Sequence, residues 1–363
     1  MTFEAREAGA TVSFNLIYTS TTGQVEYSTD DGDSWSPYTS NTVITLENVG
    51  DHVSFRSTSD NSRYGIASSG HNHGKTFTVT KNCYVYGNIL SLVNYDTTLK
   101  RPATFKYLFW DCSTITNHPS SPLLLPATTL TEECYCAMFM GCSSLTTAPE
   151  LPATTMAQEC YLSMFSSCSN LTSPPSLPAT TMAWKCYSNM FNKCTSLTSA
   201  PELPSTNLAD YCYQGMFKNC SNLTTSHALP VESLSNYCYF DMFDGCTNLT
   251  TAPNLPATTL ADYCYYGMFG GCTRLTTGPD LPAHTLVTYC YSCMFWNCSG
   301  LKRIKCLAIT IPETATQSWV YGVMAGAERI FYIDPSLNPS NPTPWTKNSE
   351  NGIPTQWTIQ RAE

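Results

Sequence analysis

The stretch Cys238-Tyr-Phe-Asp-Met-Phe-Asp-Gly-Cys246-Thr-Asn-Leu-Thr-Thr-Ala-Pro-Asn-Leu-Pro-Ala-Thr-Thr-Leu-Ala-Asp-Tyr-Cys264 decides how the chain folds, because it recurs. Its first cysteine belongs to a series, Cys134, Cys160, Cys186, Cys212, Cys238, Cys264 and Cys290, spaced by 26 residues. A second series, Cys142, Cys168, Cys194, Cys220, Cys246, Cys272 and Cys298, follows eight residues behind. Between them runs Cys-Tyr-x-x-Met-Phe-x-x-Cys, then Ser/Thr-x-Leu-Thr and usually Pro-x-Leu-Pro-Ala-Thr-Thr. An irregular unit precedes these seven at Tyr107-Leu-Phe-Trp-Asp-Cys112, with extra residues around His118 to Leu124. A unit this short cannot bury a core alone, so neighbouring copies must stack as a solenoid.

With the first cysteine of a unit as position 0, positions 0, 1, 4, 5 and 8 are always Cys, Tyr, Met, Phe and Cys. At 100° per residue they fall in an arc of about 140°, which predicts a short helix with one apolar face. Positions 2, 3, 6 and 7 vary and face outward, as in Leu162/Ser163, Ser188/Asn189, Gln214/Gly215, Phe240/Asp241 and Tyr266/Gly267. Ser/Thr-x-Leu-Thr then predicts a turn into a very short parallel strand. Pro149, Pro201, Pro253 and Pro279 lack a ladder donor, so that strand must be short or bulged. Leu-Pro-Ala-Thr-Thr returns the chain, with Thr154 or Thr155 as N-cap of the next helix. One helix, one strand and two corners per 26 residues is the plan of an α/β leucine-rich-repeat solenoid.

The flanks read differently. Thr11–Tyr18, Gly23–Tyr27, Thr42–Leu46, Asp51–Phe55 and Thr76–Thr80 alternate apolar and polar residues between turn residues, the signature of strands. Residues 1–80 are therefore expected to form a small β-sandwich-like domain. Residues 81–111, from Cys83-Tyr-Val-Tyr-Gly-Asn-Ile-Leu-Ser-Leu-Val93 onward, cap the solenoid, which spans 112–306. Residues 307–363, with Glu328–Ile333 and Gln356–Gln360, form the opposite cap.

Composition narrows the function. The 363 residues are only 12% charged, and 18 Lys and Arg stand against 27 Asp and Glu, a net charge of −9. No Lys/Arg cluster exists, which argues against a nucleic-acid partner. No apolar run reaches the roughly 18 residues of a membrane span. The opening Met1-Thr-Phe-Glu-Ala-Arg lacks the basic-then-apolar layout of a secretory signal.

Nineteen cysteines suggest disulfides, metal or buried thiols. Cys-x7-Cys without histidine is wrong for zinc. Along a helix, positions 0 and 8 lie roughly 12 Å apart. Stacked helices would hold neighbouring copies roughly 8–10 Å apart. Both exceed the Cα separation of about 7 Å that a disulfide tolerates. The expectation is two ladders of reduced cysteines used as small core residues. Cys136, Cys293 and Cys306, outside the regular series, remain candidates for a bridge.

Met-Phe-x-Gly/x-Cys-Ser/Thr-x-Leu-Thr-x-x-Pro-x-Leu-Pro-Ala-Thr-Thr-Leu/Met-Ala, over roughly residues 105–306, resembles the BspA-type leucine-rich repeats of gut and oral bacterial surface proteins. Similar repeat chains occur in proteins encoded by phages of those bacteria. The resemblance implies a non-enzymatic recognition or adhesion protein without a cofactor, whose partner is a protein or glycan on a cell surface. The alternative is a structural or receptor-binding fibre component of a phage particle. Either places the chain outside the cell, on the bacterial surface or on a virion. Phe240, Tyr266 and Trp296 occupy variable positions in three consecutive units and are expected to align as an exposed stripe. Asp241, Asp244 and Arg274 would form its polar rim.

Other motifs read as structural. Ser28-Thr-Asp-Asp-Gly-Asp-Ser-Trp35 fits a single Asp-box hairpin, with Ca²⁺ binding by Asp30, Asp31 and Asp33 as the alternative. His71-Asn-His73 lacks a third ligand, and His227 and His284 merely replace ordinary repeat residues. No nucleophile elbow or phosphate loop is present. Glu132 and Glu133 are explained by the dipole of the expected helix. The sequons at Asn170, Asn222 and Asn248 arise from the repeat consensus.

Overall fold

A computed structural model describes residues 1–16, 25–60, 62–64, 76–324, 328–348 and 350–363. The chain divides into two compact units, Met1–Pro178 and Ala179–Glu363.

The first unit opens with two sheets. Strands β1 (Thr2–Ala5), β3 (Val25–Ser28), β4 (Ser36–Pro37), β6 (His52–Ser57) and β8 (Cys83–Asn88) share one sheet with β10 (Leu123–Leu124), in the order β10-β8-β1-β6-β3-β4. Strands β2 (Ala10–Phe14), β5 (Val43–Leu46) and β7 (Phe77–Val79) form the other, in the order β5-β2-β7. Alternate residues of β1, β2 and β6 are buried, as half-covered strands require. Phe3 and Phe55 from one sheet meet Phe14 and Phe77 from the other, and Phe14 stacks on Phe77 at 3.9 Å. Thr2–Ala5, unassigned by the sequence reading, is central because β1 pairs with both β6 and β8. The expected strands ending at Tyr18 and starting at Gly23 extend beyond the described residues. Strand β8 also pairs in parallel with β9 (Ile115–Asn117) and β10, so one strand carries the antiparallel sheet into the first coil.

The expected helix is absent from the repeats. Among the described residues the only helical segment is a single 3₁₀ turn at Ile89–Val93. The Cys-Tyr-x-x-Met-Phe-x-x-Cys segment is instead a wall of consecutive tight turns in which every fourth residue is left-handed. Glu133, Ala137 and Gly141 have φ of 55°, 50° and 79°, and Tyr263, Gly267 and Gly271 have 57°, 60° and 68°. Backbone hydrogen bonds alternate along this wall. Cys134, Cys136, Met138, Met140 and Cys142 each donate to the carbonyl three residues earlier. The residues between them, Glu133, Tyr135, Ala137, Phe139 and Gly141, donate at 2.8–3.0 Å to Gln158, Cys160, Leu162, Met164 and Ser166 of the next coil. Each wall amide is therefore satisfied, half locally and half along the solenoid axis, which a buried backbone demands.

The helix reading failed because a period of 3.6 and a period of 4 differ by about 10° per residue. Positions 0, 1, 4, 5 and 8 lie inside under either period. The distinguishing signal was at positions 3 and 7, which hold Asn189, Gly215, Asp241, Gly267, Gly141, Asn219, Gly245, Gly271 and Asn297. Gly, Asn and Asp are the residues that tolerate the left-handed region, and they are poor helix formers.

Two further sides close each coil. One carries parallel bridges, Thr147↔Ser173 in the first unit and Ser199↔Thr225 and Thr251↔Thr277 in the second. The other carries Thr98↔Thr129, and then Thr181↔Asn207, Ser233↔Thr259 and Thr285↔Thr310. The expected N-cap threonines thus stand in a bridge ladder rather than before a helix. The prolines hold the strand to this minimum. Strands lengthen again near the end, as β11 (Thr277–Leu281), β12 (Arg303–Cys306), β13 (Ile330–Ile333) and β14 (Thr358–Arg361) form a parallel sheet. Its register shifts between Thr277 and Asp280, around Pro279.

The core consists of columns. Tyr187, Tyr213, Tyr239 and Tyr265 stack at 5.7–5.9 Å, and Phe191, Phe217, Phe243, Phe269 and Phe295 at 5.6–5.9 Å. The leucines of Ser/Thr-x-Leu-Thr, such as Leu223 and Leu249, are fully buried behind them. The outermost wall of each unit is covered differently. Tyr64 and Phe77 of the sheet domain donate to the carbonyls of Thr104 and Leu108 on the first wall. In the second unit Tyr291, Cys293, Phe295 and Asn297 donate to the carbonyls of Ala315, Gln317, Trp319 and Tyr321. Trp319 stacks on Trp345 at 5.4 Å there.

Candidate functional site

The variable face of the second unit is the candidate site, and its geometry follows from the turns. Positions 0, 1, 4 and 5 pack inward, whereas larger side chains at positions −1, 2 and 6, such as Tyr237, Phe240 and Trp296, stay partly exposed. At position 2, Phe240 and Tyr266 stack at 4.7 Å with rings 2° from parallel. The hydroxyl of Tyr266 accepts from Cys293 Sγ at 3.5 Å.

Trp296 does not continue that stripe. It stands at position 6, whereas the next position 2 is the buried Ser292. The expectation erred by treating all variable positions as one column. Trp296 is nevertheless 42% exposed.

Asp241 and Asp244 are both claimed by Lys218, at 2.6 and 2.9 Å. Burial raises the pKa of Asp241, although the Lys218 ammonium opposes that shift. The two aspartates therefore hold adjacent coils together instead of forming an open rim. Arg274 lies on another edge of the coil, where its Nη1 donates to Asn248 Oδ1 at 3.1 Å and Asn248 donates to Asn222 at 3.2 Å.

A larger aromatic feature sits at position −1, which the sequence reading passed over. Tyr211, Tyr237, Tyr263 and Tyr289 stack at 4.4, 4.5 and 4.8 Å. Trp184 meets Tyr211 edge-on at 6.3 Å, and Lys185 Nζ lies 4.2 Å from the Trp184 ring centroid. The signal was available, since each tyrosine directly precedes the first cysteine of its unit.

All nineteen cysteines are thiols, none in a disulfide, Cys136, Cys293 and Cys306 included. Distance is not what keeps the ladder cysteines unpaired, contrary to the expectation from helix spacing. Coils joined by backbone hydrogen bonds are spaced at about 4.8 Å, so consecutive ladder residues fall within disulfide reach. Many thiols of the second series have another role. Cys142, Cys168, Cys220, Cys246, Cys272 and Cys298 each donate to a phenylalanine carbonyl of the preceding coil at 2.9–3.2 Å. Burial pushes Cys168, Cys220 and Cys298 up to about 12. Such thiols are packing residues with a weak donor, far from thiolate chemistry.

The remaining motifs have structural places. Asp30 Oδ1 accepts from Ser28 Oγ and the Ser34 amide, and its Oδ2 accepts from Ser34 Oγ. Trp35 Nε1 donates to the Gly32 carbonyl, and Arg56 lies over its ring at 4.0 Å. The hydrogen bonds from Ser34 and Ser28 draw the Asp30 carboxyl down to about 2. Asp31 faces His52 at 3.0 Å. Glu133, with no helix to cap, pairs with Lys106 at 2.5 Å. His284 pairs with Asp334, while His71 and His73 lie outside the described residues. Among the described residues no cluster of three or more His, Cys, Asp or Glu could hold a metal ion. No helix among them is long and apolar enough to cross a membrane.

The family model for the BspA type leucine rich repeat region matches in six copies, over residues 106–250 and 216–317. Together these ranges cover more than half of the chain. The search of curated proteins found no match. With its stacked 26-residue coils and buried leucine, tyrosine and phenylalanine columns, the chain belongs to the BspA-type leucine-rich-repeat family.

Proposed function

We propose that the chain is a non-enzymatic recognition protein that uses its coil surface to adhere to a protein or glycan on a cell surface. The observation that carries this reading is the separation of constant and variable positions. Core positions are occupied identically from unit to unit, whereas the partly exposed positions range from Gln214 and Lys218 to Phe240, Tyr266 and Trp296. A rigid scaffold with freely variable outward residues is the physical requirement of a binding surface.

The test is adhesion of the purified chain to host cells or a glycan array, with the triple variant Phe240→Ser, Tyr266→Ser, Trp296→Ser alongside. Loss of adhesion at an unchanged melting temperature supports the reading. Unchanged adhesion removes these three residues from the site.

A second reading, a fibre or receptor-binding component of a phage particle, is favoured by the nineteen thiols. Chains that mature in oxidising compartments usually pair their cysteines, whereas virion proteins assemble in a reducing cytoplasm. Mass spectrometry of purified particles tests it, since a virion component must co-purify stoichiometrically.

A further inference from the structure

We propose that the tyrosine ladder Tyr211, Tyr237, Tyr263 and Tyr289 is a docking rail for an extended neutral glycan lying along the solenoid axis. The proposal rests on the recognition reading above and names the class of partner.

Four observations lead to it. First, the fold does not demand tyrosine there. The same position holds Glu133, Glu159 and Lys185 in earlier units, all in the same left-handed conformation, with φ of 55°, 50° and 52°. Tyrosine in four consecutive coils is therefore an addition to the scaffold.

Second, the rings close each other's faces. Neighbours lie 8°, 7° and 20° from parallel at 4.4–4.8 Å, so no partner ring can insert. What remains open is a row of ring edges and phenol hydroxyls, one from each coil. Such a row offers a donor and an acceptor at every coil, the complement of a hydroxyl-rich chain.

Third, the flank is polar without being basic. Asp210, Asn236 and Asp262 run beside the ladder and are themselves linked, since the Asn236 amide donates to Asp210 and the Asp262 amide to Asn236. Lys185 is engaged at one end and Lys218 is held by two aspartates. An acidic polymer would meet carboxylates there, whereas a neutral one meets acceptors for its hydroxyls.

Fourth, the ladder repeats once per coil, at about the 4.8 Å spacing of paired strands. A β-linked glycan in extended form repeats on a similar spacing and meets each tyrosine in the same way.

The experiment titrates the full chain with cello-, xylo-, manno- and chito-oligosaccharides of increasing length, with polygalacturonate as the acidic probe. At least one neutral series should bind, with affinity rising until the oligomer spans the four coils. The double variant Tyr237→Glu, Tyr263→Glu should weaken that binding roughly tenfold or more. Glutamate already occupies this position in two other units, so the variant should keep its melting temperature. Asn222→Ser, on a different edge, should bind as the parent does. The proposal is overturned if no neutral series binds, if polygalacturonate binds better, or if the double variant binds unchanged. Adhesion that depends on the ladder but involves only protein ligands would also overturn it, and would leave the recognition reading standing.

Discussion

The sheet domain at the start of the chain and the coils that follow solve one problem in two ways. In the domain, extended strands pair with both neighbours and bury alternate side chains, such as Phe3 and Ala5 of β1. In the coils, extended backbone shrinks to single bridges, and the wall is a run of turns that sends every second amide to the next coil. Hydrogen bonding between neighbours therefore does not require strands. It requires only that donors alternate, and left-handed residues at every fourth position achieve this. The difference has a consequence for chemistry. The sheet domain rests on aromatic packing, whereas the coils rest on stacked thiols, tyrosines and phenylalanines whose backbone sits in a region that most side chains avoid.

The largest expected contrast is alkaline. Unfolded thiols ionise near 9, whereas Cys168, Cys186, Cys220 and Cys298 are held at about 12 by burial. Between those values the unfolded chain has released protons that the folded chain retains, so stability falls as pH rises and is fully present below 9. Each such thiol costs up to about 1.4 kcal/mol per pH unit in that window. The sheet domain has only Cys83, at about 11, at its boundary. Urea midpoints at stepped pH should fall steeply above 9. Peptide-resolved alkylation should show the coils opening before the sheets. Opening that starts in the sheet domain would break the comparison.

A glycine pair sharpens it at intermediate size. Gly50, in a turn of the sheet domain, has φ of 91°, and a Cβ added there would meet nothing within 4 Å. Gly267, in a coil wall, has φ of 60°, and a Cβ there would lie 2.1 Å from Asp241 Oδ1, which is tied to Lys218. Gly50→Ala should cost about 1 kcal/mol from backbone strain alone. Gly267→Ala should cost roughly 2–3 kcal/mol, because the ion pair must also move. Thermal melts of the two variants decide this, and equal costs would mean that the coil wall yields as easily as an exposed turn.

The period and the buried positions were legible in the sequence, since a strict repeat fixes both. Turn and helix were not separated by burial, because nine residues are too few to tell a period of four from 3.6. Gly215, Asp241 and Gly267 carried the distinction through backbone tolerance rather than hydrophobicity. At the candidate site, the aromatic character of Phe240 and Tyr266 was legible and their stacking follows from the 26-residue spacing. Trp296 was misplaced because position 2 and position 6 were merged into one outward face. The ladder at Tyr211, Tyr237, Tyr263 and Tyr289 went unread because it lies just outside the segment assigned to the helix.

The smallest expected effect separates the two cysteine series. Cys220 Sγ donates to the Phe191 carbonyl at 3.0 Å, whereas Cys238 is fully buried among packing contacts. Cys220→Ala should cost about 1–2 kcal/mol and Cys238→Ala about 1 kcal/mol, the excess being the lost donor. Cys220→Ser, which restores a donor, should recover part of the difference in chemical denaturation. Identical costs would reduce both series to packing alone.

The stacked columns and the outward ladders of the coils depend on the walls being turns rather than helices. Far-ultraviolet circular dichroism of the folded chain measures this without a variant or a ligand. The turn-walled coils predict a spectrum of turns and strands that lacks the paired minima of α-helix. Clear helical minima, of the strength expected from one short helix in each of seven units, would contradict it.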